Sequence, residues 1–207
     1  MLFIVSDGGI RKIPTSTEKA GAYSVSLTKR SGDTYRTTHI YKSVTISQME
    51  MMGLLRGAVE AALHIVEHGP ESVCLVSDSQ LVIKTIMDGG WLEKWRVNGF
   101  RKKATGRLVS NHEIWMVMDE VLTFLRSIVT VKTYWIRGHL TEDQIKGLTD
   151  PLLKVFARLN SRCDEALGKE LEKTHFSEDR YRTIPEELAV IQSKLQKAKM
   201  MYYQQQG

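Results

Sequence analysis

The spacing of apolar and polar residues changes several times along the chain, and each change marks an element. Leu2 to Val5 are four consecutive apolar residues, followed by Ser6, Asp7 and the pair Gly8-Gly9. Such a run, bounded by turn signals, predicts a strand covered on both faces, with the glycines turning the chain away and Asp7 presented, not buried, at the strand's end. From Ala22 to about Tyr41 the period is two. Tyr23, Val25 and Leu27 alternate with small polar residues, Ser31-Gly32-Asp33 supplies a turn, and Thr34 to Tyr41 is rich in threonine and aromatics. An antiparallel hairpin extending the first strand is expected. From about Ser47 the spacing lengthens to three and four (Met49, Met52, Leu55, Val59, Ala62, Leu63, Val66) until Gly69-Pro70, which predicts a long helix with Glu50 in its first turn.

Val73 to Val76 repeats the opening motif, again apolar and again ending on a serine and an acid, Ser77-Asp78-Ser79-Gln80, before helical spacing resumes at Leu81, Val82 and Ile86. In a parallel α/β sheet such strand ends open into one crevice, so Asp7 and Asp78 are expected to face each other. Ser110-Asn111-His112-Glu113 reads as a capping box opening a helix through Ile114, Val117, Val121 and Phe124. Val129 to Ile136 predicts the last strand, which delivers Arg137-Gly138-His139. Thr149-Asp150-Pro151 caps a further helix with Leu152, Phe156, Leu159, Cys163 and Leu167 on one side. Asp164 lies beside that stripe, where it can point inward only at the sheet's edge, and is a fourth candidate carboxylate.

After a polar break from His175 to Thr183, Pro185 marks a last helix in which Ile184, Leu188, Ile191, Leu195, Ala198 and Tyr202 recur at helical spacing. A stripe this apolar must pack on something. It can fold back on its own domain, or meet a partner protein or a second copy through residues 184–203; a monomer is the expectation, because so few turns make a marginal coiled coil. The expected organisation is one domain over 1–174 and a helical extension over 175–207, removable without loss of folding.

Composition narrows the function classes. The 207 residues, 42% hydrophobic, suffice for one core with an appendage. No stretch approaches the roughly 18 apolar residues of a membrane span, and the opening run is too short for a signal peptide, so a soluble cytoplasmic protein without membrane contact is expected. Cys74 and Cys163 fit no disulfide or metal pattern. His64 and His68 stand one helical turn apart, a metal-ligand spacing, but no further ligand completes a set, and two imidazoles near a helix C-terminus gain from the dipole without a metal. The net charge of +5 says little by itself; its distribution says more. Between Trp91 and Arg107 stand Lys94, Arg96, Arg101, Lys102, Lys103 and Arg107 against the single acid Glu93, with Trp91, Trp95 and Phe100 interleaved. Cations for phosphates beside flat apolar faces for sugars and bases suit nucleic-acid binding.

Taken together these motifs resemble type 1 ribonuclease H from Asp7 to about Thr174. Asp7-Gly8-Gly9 resembles the family's Asp-Gly-Ser, Gln48-Met49-Glu50 its Arg-Met-Glu, and Ser77-Asp78-Ser79-Gln80 its Thr-Asp-Ser-Gln. Arg137-Gly138-His139 resembles Lys-Gly-His, and Asn160-Ser161-Arg162-Cys163-Asp164 the helix that bears the last acid. Each motif alone is loose; all in order at fitting separations are specific. The resemblance implies an α/β fold with a mixed five-stranded sheet flanked by helices, plus an extra C-terminal helix. It implies that Asp7, Glu50, Asp78 and Asp164 bind two Mg2+ ions (Mn2+ a substitute), that His139 shuttles protons, and that the substrate is the RNA strand of an RNA–DNA hybrid. The basic aromatic stretch resembles the family's DNA-gripping handle, with Trp95 as the sugar-stacking residue and Trp91, Phe100, Lys102 and Lys103 beside it. Thr45 and Asn111 fall where the family binds a DNA phosphate, and Ser47, Gln80 and Asn160 join the hybrid-binding set.

Two departures stand out. The family's Thr-Asn-Asn is Thr45-Ile46-Ser47 here, and the segment from Leu140 to Leu159 is longer than the family's, which either lengthens the helix bearing Asp164 and forms a lid or is an inert insertion. A transposase or integrase core would use a similar sheet without the handle or the Gly-His motif. A non-catalytic hybrid-binding module would be expected to have lost one of the acids.

Overall fold

The computed structural model describes residues 1–12, 19–29, 32, 34–173 and 181–207. In chain order they form β1 (Leu2–Lys12), β2 (Lys19–Thr28), β3 (Thr34–Lys42), α1 (Ile46–His68), β4 (Val73–Ser77), α2 (Gln80–Ile86) and α3 (Trp91–Val97). There follow α4 (His112–Ile128), β5 (Val131–Trp135), α5 (Glu142–Gly147), α6 (Pro151–Lys173) and α7 (Ile184–Gln204). The strands make one mixed sheet in the order β3-β2-β1-β4-β5. The hairpin side is antiparallel, while β4 and β5 run parallel to β1.

Alternation along β1 assigns the two faces. Leu2 and Ile4 enter the main core with α1, α4 and α7, whereas Phe3 and Val5 pack against Phe156 and Leu159 of α6. The twin faces explain why the strand reads as a continuous apolar run. Cys74 and Cys163 are both free and buried.

The glycine pair does not end β1. Pairing with β2 continues through Gly8↔Tyr23 and Gly9↔Ala22 to Lys12↔Lys19. Asp7 is therefore inside a strand and only 5% exposed, not presented at a strand end. What stops at this level is β4, whose pairing with β1 ends at Ser6↔Ser77. Gly8 serves a close approach instead of a turn, since a Cβ there would overlap the backbone at Met49 and Glu50 of α1.

Two helix starts also differ from expectation. Thr45 caps α1 with Gln48 in a reciprocal capping box, and no acid lies in the first turn, so Glu50 sits one turn further in and is not a dipole residue. Asn111 caps α4 from the left-handed region with no side-chain bond, so the Ser110–Glu113 capping box is not formed. Ser31 and Asp33 of the expected turn and residues 174–180 of the polar break lie outside the described residues. The segment after His139 holds α5, whose Ile145 is buried and whose Glu142 accepts from Arg158 of α6 at 2.9 Å.

Helix α7 packs on its own chain. Leu188, Ile191, Leu195 and Ala198 are buried in the main core, and Ile184, Met201 and Tyr202 lie against it. The flanking lysines reach α1, Lys194 to Glu60 at 2.9 Å and Lys197 to Glu67 at 3.8 Å. Arg182, just before the helix, bridges to the β3 edge by donating its N–H to the Ile40 carbonyl at 3.0 Å. Among the described residues, no helix is long and apolar enough to cross a membrane.

Candidate active site

Four elements bring the carboxylates together. Asp7 comes from β1, Glu50 from the second turn of α1, Asp78 from the residue after β4, and Asp164 from the middle of α6. Burial pushes Asp7 up to about 8, and Asp78, Asp164 and Glu50 add to that rise while the Gly8 N–H opposes it. Asp78 is also raised, by burial first and by Asp164 as well, and Glu50 is raised by burial and Asp78. Mutual electrostatic influence of this kind requires all four acids to share one neighbourhood.

Hydrogen bonding leaves part of this charge uncompensated. Asp7 accepts the Gly8 N–H at Oδ1, 2.8 Å away, while its Oδ2 and the Asp78 Oδ1 are buried without a partner among the described residues. Glu50 is held by the Ser79 hydroxyl, which donates to Oε2 at 2.6 Å. Asp164 faces His139, Oδ2 to Nδ1, at 3.3 Å. His139 adopts a positive φ of 53° in the turn after β5, and its side chain is mostly exposed. Gly138 lets that turn close over the site, because a Cβ there would overlap the Asp78 carboxylate.

Among the described residues, no three His, Cys, Asp or Glu side chains already close around one point. The acids stand near enough to perturb one another without forming a finished cage. The donor set is oxygen only, with two orphaned buried oxygens, and such a set fits a hard divalent cation such as Mg2+ and not a thiolate or imidazole metal. Asp7, Glu50, Asp78 and Asp164 could hold it.

The basic aromatic stretch is a separate groove of about 770 Å³ lined by Trp91, Trp95, Lys94, Arg101, Lys102 and Lys103 among others. Trp91 is 58% exposed, whereas Trp95 is half-buried between the rings of Trp91 and Trp115. Phe100 is 8% exposed in the core, so, contrary to expectation, it cannot stack on a ligand and is not part of the binding surface. Two of the cations are engaged internally: Arg96 bonds Asp119 at 2.9 Å and Arg101 donates to the Gly106 carbonyl at 2.8 Å. Lys102 and Lys103 remain exposed.

The remaining candidates scatter in role. Thr45 is exposed but spends its hydroxyl on the α1 cap, and Ser47 is half-buried in that helix's first turn. Gln80 is exposed and accepts from Lys84 at 3.1 Å. Asn111 is half-buried beside Met51. Asn160, one turn before Asp164, is buried with its Nδ2 unpartnered. His64 and His68 stack at 4.3 Å between centroids, away from the acids. Residue-by-residue reading passed over Ser79, which the motif Ser77-Asp78-Ser79-Gln80 already contained; its position as N-cap of α2 was the available signal.

Comparison with known proteins places this geometry in a family. The family model for RNase H matches residues 2–171. A ribonuclease H of Pseudomonas syringae pv. syringae is 36% identical over 98 residues, covering 47% of this chain and 57% of that protein. A ribonuclease HI of Synechocystis is 27% identical over 129 residues, covering 62% of this chain and 73% of that protein. The aligned stretch thus spans little more than half of the Pseudomonas relative's length. Among solved structures, the PFV RNase H domain superposes with a TM-score of 0.53 at 16% identity, covering 80% of this chain and 94% of that one. LC11-RNase H1, solved in complex with RNA/DNA hybrid, superposes with a TM-score of 0.51 at 15% identity, covering 84% and 98%. At these identities the superpositions speak for the fold.

Proposed function

The chain belongs to the ribonuclease H family, and from that premise we propose that it hydrolyses the RNA strand of RNA–DNA hybrids at the Asp7, Glu50, Asp78 and Asp164 cluster. The observation that carries the reading is the convergence of four acids from four elements, with Asp7 buried and one oxygen each of Asp7 and Asp78 unpartnered. A fold that gathers four acids and leaves buried carboxyl oxygens unpartnered is suited to receive a cation. The hybrid of the LC11-RNase H1 structure suggests the substrate class.

Divalent ions such as Mg2+, when bound, supply the Lewis acidity that polarises the scissile phosphate and activates water. The chain's own residues do the rest. Asp7, buried and influenced by the other three acids, would supply the deepest oxygens to such an ion, while Glu50 is aimed by Ser79 and Asp78 by the close pass of Gly138. His139 stands at the solvent side with Nδ1 on Asp164, placed to carry a proton between the site and water. In the groove, exposed Trp91 and half-buried Trp95 offer apolar ring surface to sugars, and Lys102 and Lys103 offer charge to phosphates of the DNA strand.

The test is a gel assay with labelled hybrid, duplex DNA and duplex RNA, each with Mg2+ or with EDTA. Cleavage of the RNA strand in hybrid only, and only with Mg2+, is expected. Cutting of duplex DNA instead, or equal cutting with EDTA, would overturn the reading.

A further inference from the structure

The exit of β5 does more than deliver His139. Trp135 is 45% exposed on an edge strand, yet its indole N–H is turned inward and donates to the backbone carbonyl of Asp78 at 2.9 Å. Asp78 lies in neither strand nor helix, just past the last β4 residue, Ser77, which pairs with Trp135. The same peptide unit is held from its other side, where the Ser79 N–H donates to the Ser77 hydroxyl at 3.1 Å. Ser79 in turn donates its own hydroxyl to Glu50 Oε2 at 2.6 Å. One peptide plane, pinned at both ends, therefore stands behind two of the four acids.

We propose that Trp135 is a positioning residue: its indole fixes the 78–79 peptide and thereby the direction of both the Asp78 and the Glu50 carboxylates. The inference rests on the cation-binding role assigned to these acids above. Rotation of a freed peptide would swing the Asp78 side chain at one end and the Ser79 hydroxyl at the other, so two ligands would loosen together. A single half-exposed hydrogen bond adds little to global stability, so its persistence at this point is explained by what it orients. Outer partners of metal-ligating groups act in this way, and their removal commonly weakens metal affinity by about 10-fold or more.

Trp135→Phe keeps the ring and removes the donor. Calorimetric titration with Mg2+ alone is expected to show roughly 10-fold weaker binding than wild type, with the metal-free Tm unchanged. On hybrid, kcat at fixed Mg2+ should fall and recover at higher Mg2+, while KM for hybrid stays constant. Unchanged Mg2+ affinity would overturn the proposal, and so would a raised KM with unchanged affinity, which would make Trp135 a substrate-binding residue. Should the variant fold poorly, Ser77→Ala releases the same peptide from its other side and must give the same signature. Failure of wild type to cut hybrid would sink the proposed function, whereas the Mg2+ comparison between wild type and variant judges Trp135 separately.

Discussion

Asp7 and Glu187 are both carboxylates buried in the same domain, and the protein treats them in opposite ways. Glu187, at 0% exposure in the first turn of α7, accepts from Arg56 at 2.6 Å, Arg182 at 2.8 Å and the Tyr23 hydroxyl at 2.9 Å. These partners hold its pKa below the usual range despite burial. Asp7 accepts one backbone bond, has three acids as neighbours, and is pushed up to about 8. The first carboxylate is satisfied by its own chain and joins α7 to α1 and β2; the second keeps its capacity for something from outside. Burial is common to both, so partnering is what separates the structural acid from the one the proposed function uses.

The largest effect should come from the functional side. Asp78→Asn preserves shape and removes a ligand, so hybrid cleavage should fall by roughly 10³-fold or more, over about 4 kcal/mol of barrier, with the fold intact by circular dichroism. Near-normal turnover would erase the distinction between the two acids. On the structural side, Glu187→Ala should destabilise by about 2–3 kcal/mol, because the buried Tyr23 hydroxyl loses its acceptor and Arg56 keeps only Glu60 as a partner. Urea denaturation checks it, and a loss below about 1 kcal/mol would mean the pair barely exceeds its desolvation cost.

The two acids should also respond oppositely to neutralisation. Without metal, Asp7→Asn is expected to stabilise by about 2 kcal/mol at pH 7, because folding then no longer has to protonate a carboxyl that is ionised in the unfolded chain. The sign with pH follows from the raised folded pKa. Between the unfolded value near 4 and about 8, the folded state binds more protons, so metal-free wild type should lose stability as pH rises through that window, and Asp7→Asn should lose less. Thermal melts across this range decide it. Smallest is the groove: neutralising Lys102 and Lys103 together should weaken hybrid binding while leaving saturated turnover alone. The salt slope should fall by about 0.9 for each phosphate that a lysine no longer neutralises, in B-DNA terms.

How far each region could be read from sequence follows the same division. Glu50, which ends no strand, joined the candidate acids only through the family resemblance; Asp7 and Asp78 were legible because each follows a short apolar run, and Asp164 because it borders a helical stripe, patterns whose period survives in the structure. The sheet and α1, α4, α6 and α7 were legible for the same reason. The burial of Asp7 was not, because the continuation of β1 depends on a partner strand some 15 residues away and on α1 settling against Gly8. Nor was the burial of Glu187, which stands in the first turn of α7, where acids commonly face solvent. Its partners Arg56 and Tyr23 lie 131 and 164 residues distant, and no local pattern announces them. Phe100 misled for a related reason: its positive φ of 56° turns an apparently exposed aromatic into the core.

The tail bears on how the chain divides. Leu188, Ile191 and Leu195 each bury a side chain worth about 1.5–3 kcal/mol, and Glu187 adds its ion cluster. Ending the chain after residue 173 is therefore expected to lower Tm substantially, more than an appendage would. A truncated protein with an unchanged Tm would restore a separable extension.

On the proposed function, Asp7 keeps a proton until a cation replaces it. Titrating Mg2+ into the protein at pH 7 by calorimetry, in two buffers of different ionisation enthalpy, counts the protons released on binding. With Asp7 held near 8, close to one proton per site should be released, and Asp7→Asn should abolish most of that release. Binding without proton release, or the same release from Asp7→Asn, would contradict the account.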